Sequence, residues 1–262
     1  MHQRPPPEPY TRRWWTLLRA FSVLNLAALL PLLAAPADSP TRRVQVACAA
    51  VYTAVCAFRS FFPRVDLERT VLVDAWPSSI ALGRSAATVA ELAFTVQLAL
   101  AAAALGEAHG LAWAAPTAAA FVPLIVVAQA CCWLGVLTLD HRWHAAEESL
   151  WAVMMAGIVA VSLAAWPTAD AGTRGLIALS VAGSASAAWV MVGVDIPMYF
   201  RRWRAEVAAD RRFLGVAEGF ADALRTRRPT GAWTVWRPEV MWMTPYFTLC
   251  VLLSQALAWM SP

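Results

Sequence analysis

TAAAFVPLIVVAQACCWLGVLTL, residues 117–139, runs for 23 positions without a charged side chain. A helix rises about 1.5 Å per residue, so this stretch can cross the roughly 30 Å of a bilayer's hydrocarbon core. Barrel strands alternate in polarity over about ten residues, and this run does not, so it reads as a helix. Residues 14–35, 44–62, 85–105, 149–166, 175–194 and 240–259 read the same way. Hydrophobic residues make up 60% of the 262-residue chain and charged residues 15%, far from the mixture of a soluble domain. The fold class is therefore all-α, a polytopic membrane protein with seven transmembrane helices. Pro36, Pro40, Pro63, Pro116, Pro167 and Pro238 fall where spans should start or stop, while Pro31, Pro123 and Pro245 lie inside them.

Arginine sets the expected orientation, because all 21 basic residues are arginine and none is lysine. Eighteen of them lie on one side once the spans are drawn: Arg4, Arg12, Arg13, Arg19, Arg59, Arg64, Arg69, Arg84, Arg142 and the nine between spans six and seven. Arg42, Arg43 and Arg174 fall on the other. Positive charge is retained in the cytoplasm, so the N-terminus is expected inside and the C-terminus outside. The expected location is a cell membrane, of the bacterial plasma or inner-membrane kind. The opening run is too long for a signal peptide and has no cleavage site, so the first span is expected to be retained. Residues 1–13, with Pro5, Pro6, Pro7 and Pro9, read as a disordered proline-rich cytoplasmic tail.

Residues 197–237 read as a cytoplasmic amphipathic helical segment. Phe200, Trp203, Val207, Leu214 and Leu224 recur at helical spacing among Arg201, Arg204, Arg211 and Arg212. Such a helix lies in the headgroup plane, so the bilayer is the expected partner, with anionic lipid headgroups held by the arginines of 201–228. Topology accounts for the positive charge, and no base-stacking module accompanies it, so nucleic acid is not an expected partner. Cys48, Cys56, Cys131, Cys132 and Cys250 all fall in spans without CxxC spacing and read as packing residues.

Ionisable groups within a bilayer are expensive and mark candidate sites. Glu91, with Gln97 deeper on the same helix, Arg59, Asp195, Glu239, Glu147 and Glu148 all fall in the cytoplasmic half of the expected bundle. One constellation joins Arg59, Arg84 and Glu91 with Asp195 and Glu239. Its arginines suit a phosphate or carboxylate, and its carboxylates suit proton handling. Its structural alternative is a set of interhelical ion pairs. The catalytic candidates are thus Glu91, Glu147, Asp195 and Glu239, and the substrate-binding candidates Arg59, Arg84 and Gln97. A second cluster lies in DHRWHAAEE, residues 140–148, where, on a helix, Asp140, His144 and Glu147 share one face and His141, His144 and Glu148 an overlapping one. His141, His144 and Glu148 are the candidates for a divalent metal, against a solvated polar cap as the simpler reading. Residues 61–84, rich in mixed charge, read as a segment folded back on the bundle.

Several chemistries are excluded. A chain without lysine forms no retinal Schiff base, and its four histidines are too few for the histidine-rich di-iron sites of membrane enzymes and wrongly placed for their three-histidine zinc sites. There is no Walker loop, no GxGxxG and no repeated aspartate-rich motif. The expected function is an enzyme, or an enzyme's membrane subunit, acting on a lipid-phase substrate at the cytoplasmic interface, hence a role in lipid metabolism. A small-solute or proton-coupled transporter and a non-catalytic scaffold are the alternatives.

Overall fold

The computed structural model describes residues 6–261. Among them, seven helical stretches are long and apolar enough to cross a membrane, as a multi-pass membrane protein requires. The helices are α1 (Pro9–Ala34), α2 (Pro40–Phe61), α3 (Ile80–Ala108), α4 (Ala114–Thr138), α5 (His141–Ala165), α6 (Ala171–Val190), α7 (Ile196–Ala208), α8 (Val216–Arg225), α9 (Trp233–Phe247) and α10 (Leu249–Met260). The chain forms two compact units, one running up to Gln97 and resuming at Phe220, the other spanning residues 98–219.

In the first unit α1 and α2 run antiparallel. The Trp15 indole donates to the Ser60 carbonyl at one end, and Arg42 donates to the carbonyls of Pro36 and Ser261 at the other. The α9 start joins the α1 start, with the Trp14 and Trp236 rings 5.7 Å apart. Arg12, Arg13, Arg19, Arg59 and Arg237 therefore share an end of this unit, and Arg42 and Arg43 occupy the opposite one. The core is Trp14, Leu18, Tyr52, Cys56, Trp236, Met243, Phe247 and Val251.

Buried amides knit these helices together. The Gln97 amide donates to the carbonyls of Gln45 and Ser254, each at 3.0 Å, and accepts from the Ser254 hydroxyl. Interhelical hydrogen bonds of this kind hold apolar helices that gain nothing from leaving lipid. The last span, expected as one helix, is instead broken at Thr248 (φ −122°, ψ −74°). At the break the Phe247 carbonyl accepts from the Asn25 amide at 3.2 Å.

Residues 62–79 do fold back, and they do so through strands too short to leave a sequence period. Strand β1 (Arg64–Val65) pairs antiparallel with β2 (Thr70–Val71), and β2 pairs parallel with β3 (Arg228–Pro229). Arg69, in a left-handed turn at φ 56°, ties the sheet to α8 by a 2.7 Å ion pair with Asp222.

In the second unit Asp140 caps α5, accepting from the Arg142 N–H at 3.0 Å. The polar stretch before residue 149 is therefore the first two turns of that span rather than a loop leading to it. Helix α6 passes through a π-helical turn, Met191–Asp195, into α7 without a break. Pro197 explains the widened turn, because its ring clashes with the carbonyl four residues earlier.

Two boundaries differ from the sequence reading. Helix α1 starts at Pro9, so residues 9–13 are its first turn rather than part of the tail, proline being well suited to a first helical position. Residues 6–8 of the expected tail precede the helix without regular structure, with the Glu8 N–H donating to the Gly231 carbonyl at 3.1 Å, and residues 1–5 lie outside the described residues. The expected amphipathic segment is two separate helices, because α7 ends at Ala208 and Asp210 takes a left-handed φ of 51°. The backbone then returns to α4, where Leu214 N–H donates to the Thr138 carbonyl at 3.0 Å.

Candidate functional site

The first unit gathers three buried arginines at one end: Arg59 in the last turn of α2, Arg64 in β1 and Arg84 in the second turn of α3. Glu91, two turns along α3, is the buried carboxylate among them. Its Oε2 accepts from Arg84 at 2.6 Å and its Oε1 accepts from the Tyr246 hydroxyl at 3.0 Å. The Arg59 guanidinium lies over the Phe247 ring, 5.4 Å from its centre, and 6.0 Å from that of Tyr246. Tyr52 continues this aromatic wall, stacked on Phe94 with ring centres 4.8 Å apart.

Arg64 is the residue that the sequence reading passed over. Only 1% of it is exposed, and its Nη1 donates to the carbonyls of Ser79 at 2.8 Å and Pro77 at 3.3 Å. Its Nε and Nη2 are buried with no hydrogen-bond partner among the described residues. Burial, together with repulsion from Arg59 and Arg84, lowers its pKa from the usual arginine value to about 10, against an opposing pull from Asp66. Gly83 makes room for it, since a Cβ there would overlap the guanidinium. A buried guanidinium with unused donors, close to two more, is suited to a planar or tetrahedral oxyanion.

The other expected members are distributed differently. Asp195 belongs to the second unit, in the π-helical turn. Glu239 lies on α9 and accepts from the Trp242 indole at 2.6 Å. Gln97 is engaged in the packing network described above. The expected constellation thus reduces to Arg59, Arg84 and Glu91, to which the fold adds Arg64 and Tyr246. Tyr246 carried a weak signal, as a phenol inside an apolar span, whereas Arg64 looked like one more loop arginine.

In the second unit the expected metal set is also reorganised. His141 Nδ1 contacts Glu206 Oε2 at 2.8 Å, a pairing with α7, and Arg211 forms an ion pair with the same carboxylate. His144 Nδ1 contacts Glu147 Oε2 at 2.8 Å, one turn along α5. Cys132 of α4, expected to be a packing residue, brings its Sγ to 4.0 Å from that same nitrogen. Cys132, His144 and Glu147 are all buried, and their donor atoms lie within 4.8 Å of one another. Glu148 is half-buried at the next position and does not belong to this group. Arg201 and Arg204, expected at headgroups, are exposed on α7, while Arg212 pairs with Glu218 and Arg227 with Asp74.

Two open surface grooves lie apart from these residues. One is formed by Ala103, Gly106, Gly110 and Leu111, the other by Trp233, Thr234, Arg237 and Met241. No known family model, curated protein or solved structure matches the chain.

Proposed function

We propose that this protein is a cell-membrane enzyme, or the membrane subunit of one, that holds the anionic head of a lipid-phase substrate at the cytoplasmic end of its first unit. The observation that carries the reading is Arg64, buried with two unused N–H donors beside Arg59 and Arg84. A buried charge that Asp66 offsets only in part costs several kcal/mol, and a phosphate or carboxylate would offset much of that cost. Arg59 and Arg64 hold the anion in this reading. Arg84 positions Glu91, which exchanges a proton with the substrate, and the Tyr246 hydroxyl donates to the Glu91 carboxylate and completes a relay. The N-terminus faces the cytoplasm and the C-terminus the outside, a placement supported by the arginine asymmetry between the two ends of the first unit.

The Gln97 network argues against a transport path through this unit, since its polar groups bond helix to helix rather than to a lumen. The test compares the lipid profile of a deletion strain with its parent, and with strains carrying Glu91→Gln or Arg64→Gln at normal abundance. The expected result is a lipid species that accumulates on deletion and in both variants. Unchanged lipids with altered solute uptake would replace the reading with transport, and normal lipids in Glu91→Gln would remove the carboxylate from the chemistry.

A further inference from the structure

We propose that Cys132, His144 and Glu147 form a binding site for a single transition-metal ion, with zinc as the best-suited occupant. The argument begins with one nitrogen. His144 Nδ1 has a carboxylate oxygen at 2.8 Å and a sulfur at 4.0 Å. A neutral imidazole nitrogen carries either one hydrogen or one lone pair, so it serves one of these neighbours at a time. A cation placed among them serves all three.

The donor chemistry agrees. Thiolate and imidazole favour zinc and its neighbours over magnesium or calcium, and three protein donors leave a fourth position open. In a tetrahedral zinc site with bonds of about 2.3 Å to sulfur and about 2.1 Å to nitrogen and oxygen, the sulfur and nitrogen stand about 3.6 Å apart, and nitrogen and oxygen about 3.4 Å. The observed 4.0 Å and 2.8 Å bracket those values and all three donors lie within 4.8 Å of one another, so shifts of about an ångström or less convert one arrangement to the other. A thiolate, a carboxylate and a divalent ion sum to zero charge, which suits a site at the head of an apolar helix.

The surroundings fix the imidazole rather than fill the site. The Tyr199 ring stacks on it at 5.3 Å with an interplanar angle of 25°. Gly135, one turn beyond Cys132 on α4, leaves space for the opposite edge of the ring, where an added Cβ would come within 2.7 Å of it. His144 Nε2 has no partner among the described residues, so the polar contacts of this ring converge on Nδ1. His141 contacts Glu206 through Nδ1 and lies outside the group of three donors. The site does not depend on the arginine cluster of the first unit.

The test uses the full chain in detergent, freed of its purification tag and stripped with a chelator, then titrated with cobalt(II) alone. The expected result is saturation at one equivalent per chain with a thiolate-to-cobalt charge-transfer absorption, which zinc then displaces. Cys132→Ser should abolish that absorption, and His144→Asn or Glu147→Gln should weaken binding about tenfold or more. His141→Asn should bind as the parent does. Absence of a saturable thiolate band from the wild-type protein overturns the proposal whatever the variants do. A band that survives Cys132→Ser, or is lost in a well-folded His141→Asn, overturns it as well.

Discussion

Replacing Gly83 with alanine tests the arginine cluster through a change of sign. The new methyl would occupy the space of the Arg64 guanidinium, which is enclosed and cannot simply swing into solvent. Arg64 would surrender its bonds to the carbonyls of Ser79 and Pro77. A charged donor's hydrogen bond contributes about 1.5–3 kcal/mol, and overpacking alone costs about 1–3 kcal/mol. Because the Pro77 bond is long at 3.3 Å, about 3 kcal/mol is the reasonable total for Gly83→Ala. In an Arg64→Ala background the obstacle is gone. There the same substitution should stabilise, by up to about 1 kcal/mol, because alanine is the better helix former in α3. The four proteins of this cycle, unfolded thermally in one detergent, should show Gly83→Ala lowering the midpoint by about 6–12 °C in the parent and raising it slightly without Arg64. Equal losses in both backgrounds would refute the packing argument and, with it, the claim that Gly83 exists to house a buried guanidinium.

Three further outcomes are expected. Gly219→Ala drives a methyl into the Leu137 carbonyl, a backbone group that cannot swing aside, so limited proteolysis should become faster within residues 209–219. Asp222 is pushed up by burial, yet the hydrogen bonds from Thr226 and Arg69 and the charge of Arg69 outweigh this and hold it below the usual aspartate range. A depressed folded-state pKa means that its stabilising contribution is complete above the ordinary aspartate value and disappears as pH falls through the folded-state value. Protease resistance of the 62–79 segment should therefore decline at acid pH in the parent, and Asp222→Asn should remove that acid dependence at the cost of lower resistance at neutral pH. Gln97→Leu forfeits three side-chain hydrogen bonds, which at about 0.6 kcal/mol each should lower stability by about 2 kcal/mol, read as a thermal midpoint.

The spans were legible because a bilayer leaves a long, one-sided record in composition. Their ends were less so: hydropathy placed the fifth at 149, whereas Asp140 caps it eight residues sooner and polar side chains fill its first two turns. The small sheet left no period to find, since each strand contributes two residues. The site was half legible. Arg84 and Glu91 lie seven apart on one helix, so their pairing follows from helical geometry. Arg64 and Tyr246 join them through tertiary folding, as Cys132 joins His144 across two helices, and periodicity along one helix carries no information about its neighbour. The His144–Glu147 contact, three residues apart on α5, is by contrast one that helical spacing offers.

The interruption at Thr248 makes the final membrane crossing a jointed rod rather than a beam. One segment carries Tyr246, whose hydroxyl donates to Glu91, and the other carries Ser254, bonded to Gln97, with Asn25 holding the Phe247 carbonyl at the joint. The contact with Glu91 and the bond to Gln97 thus belong to different helices, α9 and α10, of a single crossing.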